Sequence, residues 1–194
     1  MVQSMLWYID VILPLPLADS FTYRLEEFFV PIVEVGSRVV VQFGTKRYYT
    51  ALVVRKHTDV PKGDYEIKPI LEVLDAHHIV QPRQLELWRW IADYYMCSVG
   101  DVYKSALPSG LKIESETVVE LNAGFVPEVP LREKEQKILD ALSLHPKQRV
   151  QQLLKSCGLK QGMNAIRILL DKGAIYVEEA MQDRYKPKSE IHVR

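Results

Sequence analysis

Val35-Gly36-Ser37-Arg38-Val39-Val40-Val41-Gln42-Phe43-Gly44-Thr45-Lys46-Arg47 is the stretch around which the rest of the chain is arranged. An apolar strand runs straight into a glycine, and two cations follow one threonine later. Glycine has no Cβ and tolerates positive φ, so a ligand can approach the backbone closely while Lys46 and Arg47 supply charge. Such a tip suits a phosphate. The plainer reading of the same residues is a hairpin with Gly44 as its turn residue and the cations as solubilising surface.

Composition narrows the field. A chain of 194 residues with 47% apolar content can bury a proper core in one or two domains. Its 25 basic and 25 acidic residues cancel, so any nucleic-acid contact must be local rather than driven by bulk charge. Before Leu111 there are 11 Lys/Arg and 13 Asp/Glu, and 14 and 12 from it onward, so neither half can track many phosphates. A strand end is a better target than a long duplex. Cys97 and Cys157 lie far apart without zinc spacing, which points to reduced thiols. Residues 1–6 lack a basic, apolar leader pattern and no apolar run reaches membrane-spanning length, so a soluble, cytoplasmic protein without membrane contact is expected.

Working outward, residues 5–13 are β-rich and stop at Pro14-Leu15-Pro16-Leu17, where proline offers no ladder donor. Residues 20–24 resume as a strand with Phe21 and Tyr23 on one face. Residues 26–34 connect to the strand 36–43, and Arg47 opens another to Arg55, making a hairpin around Gly44-Thr45-Lys46. Residues 59–65 form a loop, and 67–74 a further strand. Short strands joined by turns predict a small barrel. From Pro82 to Met96 the period becomes helical, with Leu85, Trp88, Ile91, Ala92 and Tyr95 on one face. Trp88 and Tyr95 are expected in the core, leaving Trp90 and Tyr94 open. A second helix over 99–106 completes a helical lid.

The C-terminal pattern differs. Residues 111–121 read as a strand or extended linker and 122–130 as a loop with Gly124, Pro127 and Pro130. Helices follow at 131–144, 150–157 and 162–172, then a strand at 174–179, which is a winged-helix pattern. On the third helix Met163, Ile166, Leu169 and Leu170 face inward, and Lys160, Asn164, Arg167 and Asp171 form an outer row that could meet DNA. Two cations spoiled by an acid make a poor base reader, and backbone or protein contact fits that row better. The fold class is therefore mixed: an OB-like β-barrel with a helical lid over residues 1–110, a strand and linker over 111–130, an α+β winged helix over 131–180, and a tail over 181–194.

No catalytic or metal site emerges. His77-His78 lacks further ligands and reads as a solvated turn, while Glu26-Glu27 and Glu178-Glu179 have no nearby base or nucleophile. The chain contains no G-x-x-x-x-G-K-[ST] loop, G-x-S-x-G elbow or H-E-x-x-H helix, so nucleotide hydrolysis by these residues is not expected. A ligand-responsive transcription regulator is the alternative, with the barrel as sensor and a dimeric operator reader. Its basic recognition helix and wing are met only in part by Lys160, Arg167, Arg184, Lys186 and Lys188. A protein-interaction scaffold is a third class.

The order Leu13-Pro14-Leu15-Pro16-Leu17, Phe21-Thr22-Tyr23, Val35-Gly36-Ser37-Arg38-Val39, Phe43-Gly44, Lys68-Pro69-Ile70-Leu71-Glu72-Val73-Leu74-Asp75, Ala92-Asp93-Tyr94-Tyr95, Gly100-Asp101-Val102 and Ala106-Leu107-Pro108 resembles the amino-terminal part of the PriA family. These are bacterial primosomal helicases that restart stalled replication forks. The resemblance covers about the first 110 residues, and the winged-helix half agrees in position and kind. It implies a barrel that captures the 3′-terminal nucleotide of the leading strand, and a winged helix inserted before ATPase lobes that lie outside this chain, with residues 181–194 leading towards them. ATP, Mg and Zn belong to that helicase part, so no cofactor is expected here. The implied partners are forked DNA with a 3′-ended strand, single-strand-binding protein and primosome proteins.

The resemblance places the strand-end pocket on Phe21, Thr22, Gly44 and Lys68. Thr22 is a departure, because the family has an aspartate there; threonine both donates and accepts and carries no charge. Phe21 stacks on or packs beside the terminal base, at ~1 to 3 kcal/mol for a good stack. Gly44 lets the sugar end sit against the backbone and excludes a continuing strand. Lys68 holds the adjacent phosphate, with Lys46 and Arg47 as further phosphate contacts. This is binding without chemistry.

Overall fold

The computed structural model describes residues 6–18, 20–45, 47–60, 66–75, 77–127, 129–159 and 161–178. Five strands, β1 (Trp7–Ile12), β2 (Phe21–Leu25), β3 (Arg38–Phe43), β4 (Arg47–His57) and β5 (Glu72–Val73), form an antiparallel sheet in the order β2-β1-β4-β3-β5. The unbroken Val39-Val40-Val41 run follows from burial on both faces. Val39 and Val41 join Ile9, Val11, Ala51 and Val53 in one core. Their alternating neighbours look the other way, with Leu52 and Ile12 under the helices and Val40 towards the C-terminal half.

The expected barrel is not closed by a ladder of strands. A single parallel bridge between Arg24 and Pro69 spans the gap between the sheet's two edges. There the Arg24 N–H donates to the Lys68 carbonyl (2.9 Å) and the Ile70 N–H to the Arg24 carbonyl (3.1 Å). The strand expected over 67–74 shrinks to Glu72–Val73 for the same reason. Pro69 has no donor, and the chain changes partner just after it, from β2 to β3, where the Leu71 N–H donates to the Val40 carbonyl.

Gly36 sets the start of β3. Its φ is +91°, and a Cβ there would lie 1.9 Å from the Val80 carbonyl oxygen, so no other residue fits. Two residues later the Arg38 side chain turns inward onto Asp75. Nε and Nη2 donate to the two carboxylate oxygens at 2.9 and 2.6 Å, the Arg38 N–H donates to Oδ2 at 2.9 Å, and Nη1 donates to the Leu111 carbonyl at 2.7 Å. Both partners are buried.

Helix α1 (Pro82–Tyr95) begins with proline in its first turn, and the Gln81 N–H before it donates to Gln84 Oε1 (2.8 Å). It packs Leu85, Trp88 and Ala92 against Ile12 and Leu52, and α2 (Val99–Ala106) adds Val102 and Tyr103. Tyr95, expected in the core, is instead 68% exposed. The apolar contact ends at Ala92, and the helix stops at Met96 in the left-handed conformation, so its last turn overhangs. Trp90 and Tyr94 are also exposed, stacked on each other with centroids 5.3 Å apart.

In the second half, β6 (Val118–Leu121), α3 (Glu133–Leu144), β7 (Lys147–Arg149), α4 (Val150–Ser156), α5 (Met163–Asp171) and β8 (Ile175–Glu178) build three helices on a sheet ordered β7-β6-β8. β7 carries no apolar period; it is recruited by backbone pairing with β6 and by polar side-chain bonds, among them Arg149 to Glu116 (2.9 Å) and Gln148 to the His145 carbonyl (3.1 Å). Glu135 of α3 is 1% exposed and accepts from Lys172 Nζ (2.7 Å) and from the Arg132 N–H (3.2 Å). Burial pushes its carboxyl up, but these bonds outweigh burial and hold it below the usual carboxylate range. The two halves share one apolar cluster, in which Val40 and Leu74 meet Val119, Ile138, Ile166 and Leu169. Tyr103 Oη donates to the Thr50 carbonyl (2.9 Å), and Thr50 Oγ1 donates to the Ile113 carbonyl (2.6 Å). No described helix is long and apolar enough to cross a membrane.

Asp75→Ala, which strands a buried guanidinium, is expected to cost about 3–5 kcal/mol in urea unfolding, with much of that recovered in Arg38→Met/Asp75→Leu. Glu135 has a lowered pKa when folded, so its stabilisation is complete above the ordinary carboxylate range and is lost as pH falls from there through the lowered folded value. Glu135→Gln should therefore cost about 1–2 kcal/mol near neutrality, and that difference should shrink as the urea midpoint is followed down to about pH 3.

Candidate nucleic-acid interface

The tip of the β3–β4 hairpin is built by three hydrogen bonds. Gln42 Nε2 donates to the Thr45 carbonyl (2.7 Å), Tyr23 Oη donates to the Gln42 carbonyl (3.0 Å), and Lys68 Nζ donates to the Gly44 carbonyl (2.7 Å). The first bond sets the turn, and the others bring in β2 and the segment that leads to β5. Gly44 has φ +70°, and the space where its Cβ would stand is open to 4 Å. Chain neighbours apart, no other described residue fills the place of that Cβ.

Aromatic rings flank it. Phe21 meets Phe43 edge-on with centroids 4.9 Å apart, and Phe43 in turn meets Tyr49 at 6.3 Å. Phe21, Phe43, Gly44 and Lys68 thus converge on one corner. Burial pushes the Tyr23 phenol up to about 12, so its proton is held in the bond to Gln42 at any neutral pH. Lys68 uses one ammonium donor on a neutral carbonyl and keeps two others. Among the described residues no carboxylate bonds it, so its charge is available.

Thr22 does not join this corner. As the next residue of an extended strand it points away from Phe21, and its Oγ1 donates to Asp10 Oδ1 at 2.7 Å. The Asp10 carboxylate also lies 3.3 Å from His57 Nε2 and 3.9 Å from Arg55 Nη1. Arg47 is exposed, and its pKa is raised, first by a hydrogen bond with Tyr49 and then by nearby charge that includes Glu116 and Glu114. On α5, Arg167 Nη2 donates to Asn164 Oδ1 (3.4 Å) and Nη1 to Asp171 Oδ2 (3.3 Å), so the expected row bonds within itself. Lys46 and Lys160 lie outside the described residues. His78 pairs with Glu34 at 3.1 Å in an exposed turn, and among the described residues no group of His, Cys, Asp and Glu could hold a metal.

Sequence reasoning passed over Phe43, Gln42 and Tyr23 as site residues. An aromatic ring directly before the tip glycine was the available signal for Phe43. For Gln42 and Tyr23 only the fold reveals that they tie the turn.

This corner lies within the stretch that a family model matches. The PriA 3′DNA-binding domain (3′BD) model covers residues 10–108, more than half of the chain, and a winged helix domain model covers 116–180. The chain belongs to the PriA 3′DNA-binding domain family. It is 37% identical over 93 residues to the replication restart protein PriA of Haemophilus influenzae, a match covering 46% of this chain and 12% of that protein. The PriA of Buchnera aphidicola subsp. Acyrthosiphon pisum is 30% identical over 101 residues (52% and 13%), and that of Treponema pallidum 27% over 105 residues (53% and 16%). The match therefore spans less than a fifth of the length of these relatives.

Tyr23→Phe removes the bond from β2 to the turn and leaves the Gln42 carbonyl without that donor. Thermal unfolding should show a loss of about 1 kcal/mol, with the far-ultraviolet spectrum unchanged.

Proposed function

We propose that this chain captures the 3′-terminal nucleotide of a DNA strand at a stalled replication fork, as the DNA-binding module of a replication-restart helicase. The observation that carries the reading is the open Gly44 corner, with the Lys68 ammonium 2.7 Å from its carbonyl and the Phe21–Phe43 pair beside it. The terminal base rests on the aromatic edge, the sugar end sits against bare backbone at Gly44, and Lys68 engages the last phosphate. On this reading a continuing strand is stopped by the turn, which the Gln42 side chain holds at the Thr45 carbonyl. The hydroxyl of Thr22, bonded to Asp10, contributes only through β1.

On this reading residues 1–110 are the strand-end domain, with the curled and bridged sheet as an OB-like barrel. Residues 111–130 connect to the winged helix at 131–180, and 181–194 lead towards helicase lobes. The ATP-dependent 3′–5′ unwinding, with its ATP, Mg and Zn, belongs to those lobes, and the forked DNA, single-strand-binding protein and primosome proteins are partners of the whole assembly in the cytoplasm. The regulator alternative requires a presented recognition helix, and the largely covered α5 argues against it.

Fluorescence anisotropy with two equal single strands, one ending in 3′-OH and one in 3′-phosphate, tests the proposal. Tighter binding of the 3′-OH strand is expected, and Lys68→Ala should weaken it by about tenfold, the loss of one charge-assisted contact. With two or three phosphates engaged, the logarithmic salt slope should lie at about −1.5 to −2. Equal affinity for the two strands in the parent protein overturns the reading.

A further inference from the structure

Glu72 of β5 reaches across to the winged helix. Its two carboxylate oxygens accept the backbone N–H groups of Met163 (3.1 Å) and Asn164 (3.0 Å), the first two residues of α5. The first turn of any helix leaves such groups without an internal partner, and the helix dipole favours an anion there. Gly162, at the N-cap, has no side chain to fill that role. A residue 90 positions upstream fills it instead.

Helix-turn-helix proteins that read duplex DNA place the N-terminal residues of their second helix against base edges in the major groove. Here that end is already taken by a carboxylate of the same chain. The rest of α5 is covered as well: Met163, Ala165, Ile166 and Leu169 are buried. The Arg167 side chain is only 26% exposed, and its buried Nε has no hydrogen-bond partner among the described residues. A phosphate approaching this helix end would meet Glu72 first.

The other end of the contact matters more. β5 has only two residues, paired as Val39↔Val73 and Val40↔Glu72, and Lys68 lies four positions before Glu72 on the same segment. Between them Pro69 offers no donor, and the segment meets the first sheet through Arg24 at Lys68 and Ile70, through Val40 at Leu71 and through Arg38 at Leu74. The paired bonds from Glu72 to α5 add a second anchor.

We propose that α5 does not read duplex DNA but, held by the Glu72 carboxylate, fixes the segment that carries Lys68. The winged helix is then a positioning element of the strand-end corner, and Glu72 a positioning residue that touches no DNA. This rests on the strand-end reading above.

The test uses the full chain with Glu72→Ala, Glu72→Gln and Arg167→Ala, read by amide hydrogen exchange, by the 3′-OH over 3′-phosphate preference, and by affinity for a blunt duplex. Glu72→Ala should speed exchange at Met163 and Asn164 by about tenfold or more, and the 3′-OH preference should drop by about three- to tenfold. Glu72→Gln, which keeps an oxygen acceptor for one amide, should fall between, and it carries the test alone if the alanine variant does not fold. Arg167→Ala should leave duplex affinity within about twofold. Unchanged exchange at Met163 and Asn164 overturns the anchor, and opened amides with an intact 3′-OH preference overturn the positioning role. A tenfold loss of duplex affinity in Arg167→Ala overturns the claim that α5 is not a reader. If the parent protein shows no 3′-OH preference, the strand-end reading itself falls, which the exchange and duplex measurements do not depend on.

Discussion

The Arg38–Asp75 pair is the constraint on which the rest of the architecture depends. Burying a guanidinium and a carboxylate is costly unless they are well bonded, and here the carboxylate takes three bonds, two from the guanidinium and one from the Arg38 backbone, while Nη1 donates to the Leu111 carbonyl. That last bond reaches the chain as it leaves the first half. One ion pair therefore fixes the start of β3, the end of the segment that follows β5, and the departure point towards the winged helix. It lends specificity more than raw stability, because an apolar substitute of the same shape would not dictate which three segments meet.

From this centre the two ends of the sheet acquire different characters. On one side, Val40 and Leu74 sink into a core shared with the winged helix, and Leu52 and Ile12 are roofed by α1 and α2. At the other extreme, the β3–β4 turn projects with bare backbone, aromatic edges and a cation that retains unused donors. Rigidity at the covered end is what allows an open corner at the other. A glycine at positive φ with nothing around it is poorly determined locally, and its geometry is set by Gln42, Tyr23 and Lys68 binding the turn's carbonyls.

Much of this was legible in the chain. The Val39–Val41 run, the Pro82 helix start and the third-helix face at Met163, Ile166 and Leu169 followed from period and punctuation, because burial on defined faces leaves a residue pattern. The Gly44 tip was visible from the residues themselves, whereas Lys68 was picked out only through the likeness to the family. What could not be seen was partnership between distant residues. Thr22 belongs with Asp10 through strand register, and Glu72 with α5 through packing of two halves. Tyr95 failed as a core residue because the helix outruns the surface it covers, a matter of length rather than period. β7 left no trace, since a three-residue polar strand is specified by the neighbours it bonds.

The bridge between Arg24 and Pro69 gives the molecule a mechanical asymmetry. Two backbone hydrogen bonds, each with a net worth of about 1 kcal/mol, and the Tyr23 bond to the Gln42 carbonyl stitch the seam, whereas the β3–β4 hairpin is held by a continuous ladder of six residue pairs. Thermal breathing starts where the stitching is thinnest, so the seam yields before the hairpin does. Opening that seam would part Phe21 from Phe43 and Arg24 from Lys68, so the shape of the corner follows how firmly it is stitched.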